Sequence, residues 1–570
     1  MSRTVAKGYE SFAELRQNSY FYVDKTRFIK DWWNGGDFVT LITRPRRFGK
    51  TLMLDTVKTF FSPEFAGRSD LFEGLEILKD EKFRKLQGSI PIIFLSFANI
   101  KGEDFFGTVR TIKFLIQKCY AQFRYLLDKD GLLLKSERED FLAVNRDMLD
   151  ADAKTAILSL SELIFRAEGK KPIILLDEYD TPLQEAWTHG YWDKLAAFMR
   201  GFFNSTFKSN PYLGRGLISG ITRVSKESIF SDLNNLEVIT TTSNIYSDCF
   251  GFTEQEVIMA MDEYGLTEKE KVKEWYDGFI FGSEREIYNP WSIINYLSKK
   301  TFAPYWARTS ENALVNQLIA QSDEDIKDDF SILLNGESIT VKFDEEIIFS
   351  QLYNEKGAIW SFLMASGYVK PLSHPEIDTY EISFTNYEVQ YIMEKLISNW
   401  FNKPSMNGMK FREALFTNNL YFMNQYLRDI VEGSFSFFDT GRQEPERFYH
   451  GFVLGLIVDL KERFIIKSNR ESGLGRHDIM MFPRKTGDRG IVIEFKVMGS
   501  DNEKSLAETC ANALRQIHNK HYIKELQEYN PLHIYVYGFA FKGKDVLICG
   551  GDTEELDWED ILSKNRSRIQ

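Results

Sequence analysis

Apolar residues in this chain come in short continuous blocks separated by longer stretches of helical spacing. The blocks Phe38-Val39-Thr40-Leu41-Ile42, Ser89 to Phe97, Pro172 to Leu176 and Gly214 to Thr222 read as strands buried on both faces, which belong in parallel sheets. Between them, Leu52 to Val57 and most of Glu103 to Ala167 carry helical patterns, so strand alternates with helix and an α/β core is expected. From Phe250 the pattern turns helical, with Thr253 as N-cap and Glu256 closing a capping box. Trp275-Tyr276-Asp277-Gly278-Phe279 and Tyr288-Asn289-Pro290-Trp291-Ser292 punctuate this part and are assigned packing and turn roles. A helix over Ala358 to Met364, followed by Gly367-Tyr368-Val369 and Tyr380 to Phe384 as a hairpin, suggests a winged-helix module. Such a module touches DNA or connects domains, and the connecting role is expected. Gly433, Ser434, Gly441 and Pro445 mark a boundary, after which a new module holds the strand Gly490 to Val497. Four parts are expected, 1–249, 250–345, 346–432 and 433–570.

Composition narrows the class. With 570 residues and 43% apolar content the chain can bury several cores. The four cysteines form no Cys-x-x-Cys pair, which points to reduced thiols in a cytoplasm rather than to a disulfide framework or a zinc site. No run approaches the roughly 20 apolar residues of a membrane span, and no signal peptide is recognisable. A net charge of −12 excludes a nucleic-acid sleeve over the whole surface but leaves room for a local basic face.

The first candidate chemistry is Thr43-Arg44-Pro45-Arg46-Arg47-Phe48-Gly49-Lys50-Thr51, a loop between a strand and a helix that ends Gly-Lys-Thr. In a P-loop, the helix N-terminus and loop N–H groups bind phosphates, Lys50 reaches the terminal phosphates and Thr51 is placed for Mg²⁺. The glycine that usually opens such a loop is replaced by Arg44, and Arg46 and Arg47 add basic charge. The second half of such a site is Asp177-Glu178, at the carboxyl end of a buried strand, where open α/β sheets bind ligands. Acidic residues there also form ordinary turns; beside a P-loop, Asp177 suits Mg²⁺ and Glu178 the attacking water. Thr222 and Arg223 end the next strand and are candidates for contacting the γ-phosphate.

These residues resemble the AAA-ATPase-like family, in which Arg-Pro-Arg-Arg-Phe-Gly-Lys-[Ser/Thr] replaces the usual Gly-first loop. Tyr22-Val23-Asp24-Lys25-Thr26 before the loop and Ile218 to Lys226 after it extend the match over about 300 residues. The resemblance implies a P-loop ATPase core that uses ATP and Mg²⁺, with Arg44, Arg46, Arg47, Phe48, Gly49, Lys50, Thr51, Asp177, Thr222 and Arg223 at the nucleotide and Glu178 catalytic.

The last module carries Gly475-Arg476-His477-Asp478 and then Gly490-Ile491-Val492-Ile493-Glu494-Phe495-Lys496-Val497. Strand alternation puts Ile491, Ile493, Phe495 and Val497 on one face and Glu494 with Lys496 on the other. Two charges in an apolar strand are costly unless they pair or serve a metal. Residues 461 to 496 hold nine basic and five acidic residues, a local charge of +4 suited to a phosphate backbone. Asp-x(15)-Glu-x-Lys resembles the PD-(D/E)XK nuclease superfamily. The resemblance implies a C-terminal α/β restriction-endonuclease-like domain in which Asp478 and Glu494 hold Mg²⁺, Lys496 assists the water, Gln516 supports the site and Glu446 adds to metal binding.

The expected protein is a cytoplasmic P-loop ATPase joined, through helical and winged-helix-like segments, to a Mg²⁺-dependent nuclease acting on nucleic acid, with DNA the expected substrate. No membrane partner is expected, homo-oligomer formation is left open, and nucleotide state gates or positions the nuclease. Two rivals are a nucleotide-dependent switch whose C-terminal module binds without cutting, and an ATP-driven DNA translocase with a structural tail.

Overall fold

The computed structural model describes the chain apart from residues 1, 223–228, 231–232, 307–323 except 315 and 318, 335, 343–355, 377, 402–406, 435–462 except 453, 457 and 460, 473–474, 486, 499–502, 504, 521, 543–544 and 564–570. It divides into two compact units, residues 1–321 with 338–390, and residues 322–337 with 391–570. Among the described residues no helix is long and apolar enough to cross a membrane.

The first unit is built on a parallel sheet of Val39–Thr43 (β1), Ile92–Ser96 (β2), Ile173–Asp177 (β3), Arg215–Gly220 (β4) and Leu236–Ile239 (β5), in the order β2-β3-β4-β1-β5. All four pairings are parallel, as the continuous apolar blocks require, and β1 and β3 are buried at every position. Lys50–Phe61 (α1) leaves the end of β1, and Thr181–Thr188 (α2) follows the end of β3. Ile42, Leu175 and Leu217 of the sheet pack with Leu54, Val57 and Phe61 of α1 in one apolar cluster.

Beyond the sheet, Phe252–Thr253 (β6), Phe279–Phe281 (β7) and Glu284–Tyr288 (β8) form a small antiparallel sheet in the order β6-β8-β7. Glu254–Glu263 (α3) opens with the expected capping box, Thr253 and Glu256 each bonding the other's main-chain N–H. Pro290–Lys299 (α4) is capped by Asn289, whose Oδ1 accepts from the Trp291 and Ser292 N–H groups. Ile339–Lys342 (β9), Lys356–Ala365 (α5), Val369–Glu376 (β10) and Thr379–Phe384 (β11) provide the expected helix and hairpin, with β9 adding a third strand beside β11. Tyr387–Phe401 (α6) begins in this unit.

The second unit is organised by Phe464–Ser472 (β12), Gly475–Pro483 (β13), Gly490–Val497 (β14), Ile534–Lys542 (β15) and Asp545–Asp552 (β16), a mixed sheet in chain order in which only β14 and β15 are parallel. Asn407–Phe416 (α7) and Leu420–Ser434 (α8) cover the face that holds Ile491, Ile493 and Phe495. Leu506–Asn519 (α9) covers the other, where Met480 and Val492 meet Leu514, Ile517 and Tyr522. The second unit therefore takes in residues 391–432 as well as the later ones, because α7 and α8 close the core of its sheet. Asn424 fixes α8 there, its Nδ2 donating to the Ile548 carbonyl and its Oδ1 accepting the Ile548 N–H, each at 2.8 Å.

Candidate functional site

The loop after β1 is held by its own cations and by an aromatic residue. Arg44 is fully buried, and its guanidinium donates to the carbonyls of Thr43 at 2.9 Å and Thr240 at 2.6 Å, lying 4.7 Å from the centre of the Phe281 ring. Burial pushes this group down to about 9. Phe48 is buried too, edge-on to Phe279 at 4.7 Å and Phe281 at 5.2 Å. The left-handed residues of the loop are Arg47, with φ 68°, and Gly49, with φ 81°, so position 44 has no conformational need for glycine. Gly251 completes the seat of Phe48: a Cβ there would stand 3.0 Å from the ring and 2.6 Å from Ile287.

A cavity of about 650 Å³ lies over this loop, lined by Arg46, Arg47, Phe48, Gly49, Lys50, Thr51 and Glu178 among others. The Lys50 ammonium, 6% exposed, donates to the carbonyls of Arg44 at 2.8 Å and Pro45 at 2.9 Å. Burial lowers its pKa, against the opposing pull of Glu178, Asp177 and Asp180. Thr51 Oγ1 donates to Asp177 Oδ2 at 2.8 Å, and Ser219 of β4 donates to the other oxygen of Asp177. Glu178 has a left-handed φ of 51°, accepts from Thr181 Oγ1 at 3.1 Å, and is pushed above the usual carboxylate range by burial. Strained non-glycine residues on two loops facing one cavity are typical of functional sites.

Arg44 does not line the cavity; its guanidinium is surrounded by main-chain carbonyls and ring faces and fixes the loop from behind. Thr222 is fully buried with its hydroxyl 2.9 Å from Asp180 Oδ2, so it is engaged within the sheet edge rather than offered to the cavity. Arg223 lies outside the described residues.

Sequence reasoning missed the supports of the loop. The Arg46 carbonyl accepts from Trp306 Nε1 at 3.0 Å and Asn289 Nδ2 at 3.3 Å, while Arg47 lies 4.6 Å over the Trp291 ring. Glu388, 1% exposed, holds the Trp306 N–H at 2.6 Å and the Ser292 hydroxyl at 2.7 Å. In the sequence Asn289-Pro290 reads as packing and turn residues, and nothing local ties it to the loop. Lys25 of the early Tyr-Val-Asp-Lys-Thr segment ion-pairs with Glu256 at 2.7 Å and so reaches the start of α3.

In the second unit, β13 and β14 pair Met481 with Ile491, Met480 with Val492 and Ile479 with Ile493, and continuing that alternation puts Asp478 and Glu494 on the same face. Opposed residues of an antiparallel pair share a face. Glu494, 2% exposed, accepts a hydrogen bond from Gln516 of α9, and Asp478 Oδ2 accepts the Phe495 N–H at 2.8 Å. The Tyr522 phenol is pushed up to about 12 by burial, by the Glu494 carboxylate and, less, by Asp478, with a Gln516 hydrogen bond acting the other way. Lys496 follows on the same strand, half-buried. Asp478, Glu494, Gln516 and Tyr522 are thus brought together, while Glu446 lies outside the described residues. Clusters of three or more metal-ligating His, Cys, Asp or Glu side chains do not occur among the described residues.

Residues 6–230 match the family described as predicted AAA-ATPase, and residues 444–550 match the PD-(D/E)XK nuclease superfamily. An uncharacterized protein in the vnfD 5' region of Azotobacter chroococcum mcd 1 is 28% identical over 323 residues, 55% of this chain and 55% of that protein. The chain therefore spans about half the length of the curated relative it matches. The chain is thus similar in its first part to the predicted AAA-ATPase family and in its last part to the PD-(D/E)XK nuclease superfamily.

Proposed function

We propose that the first unit binds and hydrolyses ATP and that the second cleaves nucleic acid, DNA being the substrate class preferred, each with Mg²⁺. The observation that supports the reading is that the Asp478 carboxylate accepts the N–H of Phe495, next to Glu494, while Gln516 bonds the Glu494 carboxylate. A chance Glu-x-Lys strand has no reason to bring an aspartate from its neighbour and a glutamine from a helix to the same carboxylate.

Hard oxygen donors suit Mg²⁺, and both candidate sets provide them: Thr51 with Asp177, and Asp478 with Glu494. When bound, the ion offsets charge developing on phosphoryl oxygens and makes a coordinated water more acidic. Lys50 and the N–H groups at the start of α1 bind the phosphates, and Glu178 orients and accepts a proton from the attacking water. At the second site Gln516 holds Glu494 in place and Lys496 steadies the phosphate.

Cleavage assays on labelled single- and double-stranded DNA and RNA, with Mg²⁺ and with EDTA, test the nuclease half, and ATP turnover tests the other. Mg²⁺-dependent cutting lost in Glu494→Ala is the expected result; retention of nucleic acid without cutting supports a binding switch instead. That alternative draws on the burial of Glu494, which is 2% exposed.

A further inference from the structure

The ladder between β3 and β4 ends at the pair Leu176 and Ile218, yet the chain beyond it stays tightly joined. Asp180 makes the join. Its Oδ2 accepts from the N–H groups of Ile221 at 3.0 Å and Thr222 at 2.9 Å, from Thr222 Oγ1 at 2.9 Å and from Gln184 Nε2 at 3.2 Å. Asp180 stands at the N-cap position of α2, where aspartate ordinarily binds the first turn of its own helix, but its side chain makes no such bond. The carboxylate is fully buried and turned to β4 instead.

The residues on either side are locked into the same junction. Tyr179 bonds across twice, its N–H to the Ser219 carbonyl at 3.0 Å and its hydroxyl to the Thr222 carbonyl at 2.8 Å. The Glu178 N–H donates to Ser219 Oγ at 3.3 Å, and the Gly220 carbonyl accepts the N–H of Arg44 at 3.2 Å, which is the start of the phosphate loop. Gly220 itself must lack a side chain, since a Cβ would stand 2.5 Å from the Tyr179 ring and 3.0 Å from Asp180 Oδ1. The ends of β3 and β4 and the start of the loop are therefore one hydrogen-bonded piece with the Asp180 carboxylate at its centre. Burying a carboxylate is costly, and apolar packing would close a strand end at less expense.

We propose that Asp180 is a positioning residue for nucleotide hydrolysis: by tying Ile221 and Thr222 to the turn after β3, it sets the place of Glu178 relative to the phosphate loop. The inference rests on the hydrolytic reading of the first unit. It also gives Thr222 a role, as the donor that completes the clamp.

Asp180→Asn keeps the size and one acceptor oxygen but removes the charge, and Thr222→Val removes one donor at nearly constant volume. ATP turnover and equilibrium binding of a fluorescent ATP analogue are measured on the full chain for both, with Thr222→Ser as the conservative partner. Displacement of a catalytic group affects rate more than ground-state binding, so kcat should fall about 10-fold or more in Asp180→Asn while affinity stays within about 2-fold. Thr222→Val should lose rate in the same direction, and Thr222→Ser should turn over several-fold faster than Thr222→Val. If Asp180→Asn fails to fold, the Thr222 pair decides. Equal kcat in wild type, Thr222→Val and Thr222→Ser, or losses of affinity that match the losses of rate, overturn the inference. A wild-type chain that binds ATP without hydrolysing it overturns the hydrolytic reading and this inference with it.

Discussion

The indole N–H of Trp306 donates to the carbonyl of Arg46 at 3.0 Å, linking residues 260 positions apart in the chain. Asn289 donates to the same carbonyl at 3.3 Å, so the loop after β1 is held from outside its own sheet. A glycine-rich loop gains its shape from permissive backbone; this one gains it from neighbours.

Trp306→Phe keeps an aromatic ring but removes the N–H together with the pyrrole half of the indole. One such bond contributes about 1 kcal/mol net, so nucleotide affinity should weaken several-fold. Adding Asn289→Ala, which strips the second donor, should cost more than the sum of the two single losses. A fluorescent-nucleotide titration reads this, and unchanged affinity in the double variant contradicts it.

Restoring the ordinary glycine should harm the protein. Arg44→Gly leaves the carbonyls of Thr43 and Thr240 without their donor and empties the space beside Phe281. The expected destabilisation is about 3 kcal/mol or more, from lost buried hydrogen bonds and a cavity together. Thermal unfolding should show a lower transition for Arg44→Gly and little change for Arg47→Ala.

Asp277 gives a pH signature. Its carboxyl is pushed up to about 6 by burial, with the Gly278 N–H, Lys273 and Lys370 opposing and Glu286 adding to the rise. The folded state therefore binds a proton more tightly than the unfolded chain, whose carboxyl titrates near 4. Stability falls as pH rises from about 4 to about 6 and stays lower above that. Asp277→Asn should flatten this part of the melting-temperature profile, with its benefit largest at neutral pH. A variant profile parallel to wild type across the window shows that Asp277 is not the source.

Much of the architecture was legible from spacing alone. Continuous apolar blocks gave the parallel strands, alternation put Ile491, Ile493 and Phe495 in one core with Glu494 on the opposite face, and Thr253 with Glu256 marked a helix start. What escaped was set by distant partners. Arg44 looked like a phosphate ligand because the rings and carbonyls that enclose it lie some 200 residues away, at Thr240 and Phe281. Nothing local pointed to Asp180, because its partners, Ile221 and Thr222, follow another strand about 40 residues on. An amphipathic pattern likewise cannot say which sheet a helix covers, so nothing local in residues 407–434 ties α7 and α8 to the sheet after them.

The two sites should separate by mutation. Lys50→Ala should abolish nucleotide binding, and Glu178→Gln should bind but not turn over, because only the second leaves the phosphate contacts in place. Cleavage rates compared with no nucleotide, ADP and a non-hydrolysable ATP analogue then report coupling; identical rates rule it out.

The most direct test of the account is Mg²⁺-dependent cleavage of end-labelled DNA by the wild-type chain, Asp478→Ala, Glu494→Ala and Lys496→Ala, with ATP turnover measured on the same preparations. The account predicts cutting by wild type alone, loss in all three variants, and ATP hydrolysis unchanged throughout. DNA cutting that survives both Asp478→Ala and Glu494→Ala, or a wild-type chain that binds DNA and leaves it whole with Mg²⁺ present, would contradict it.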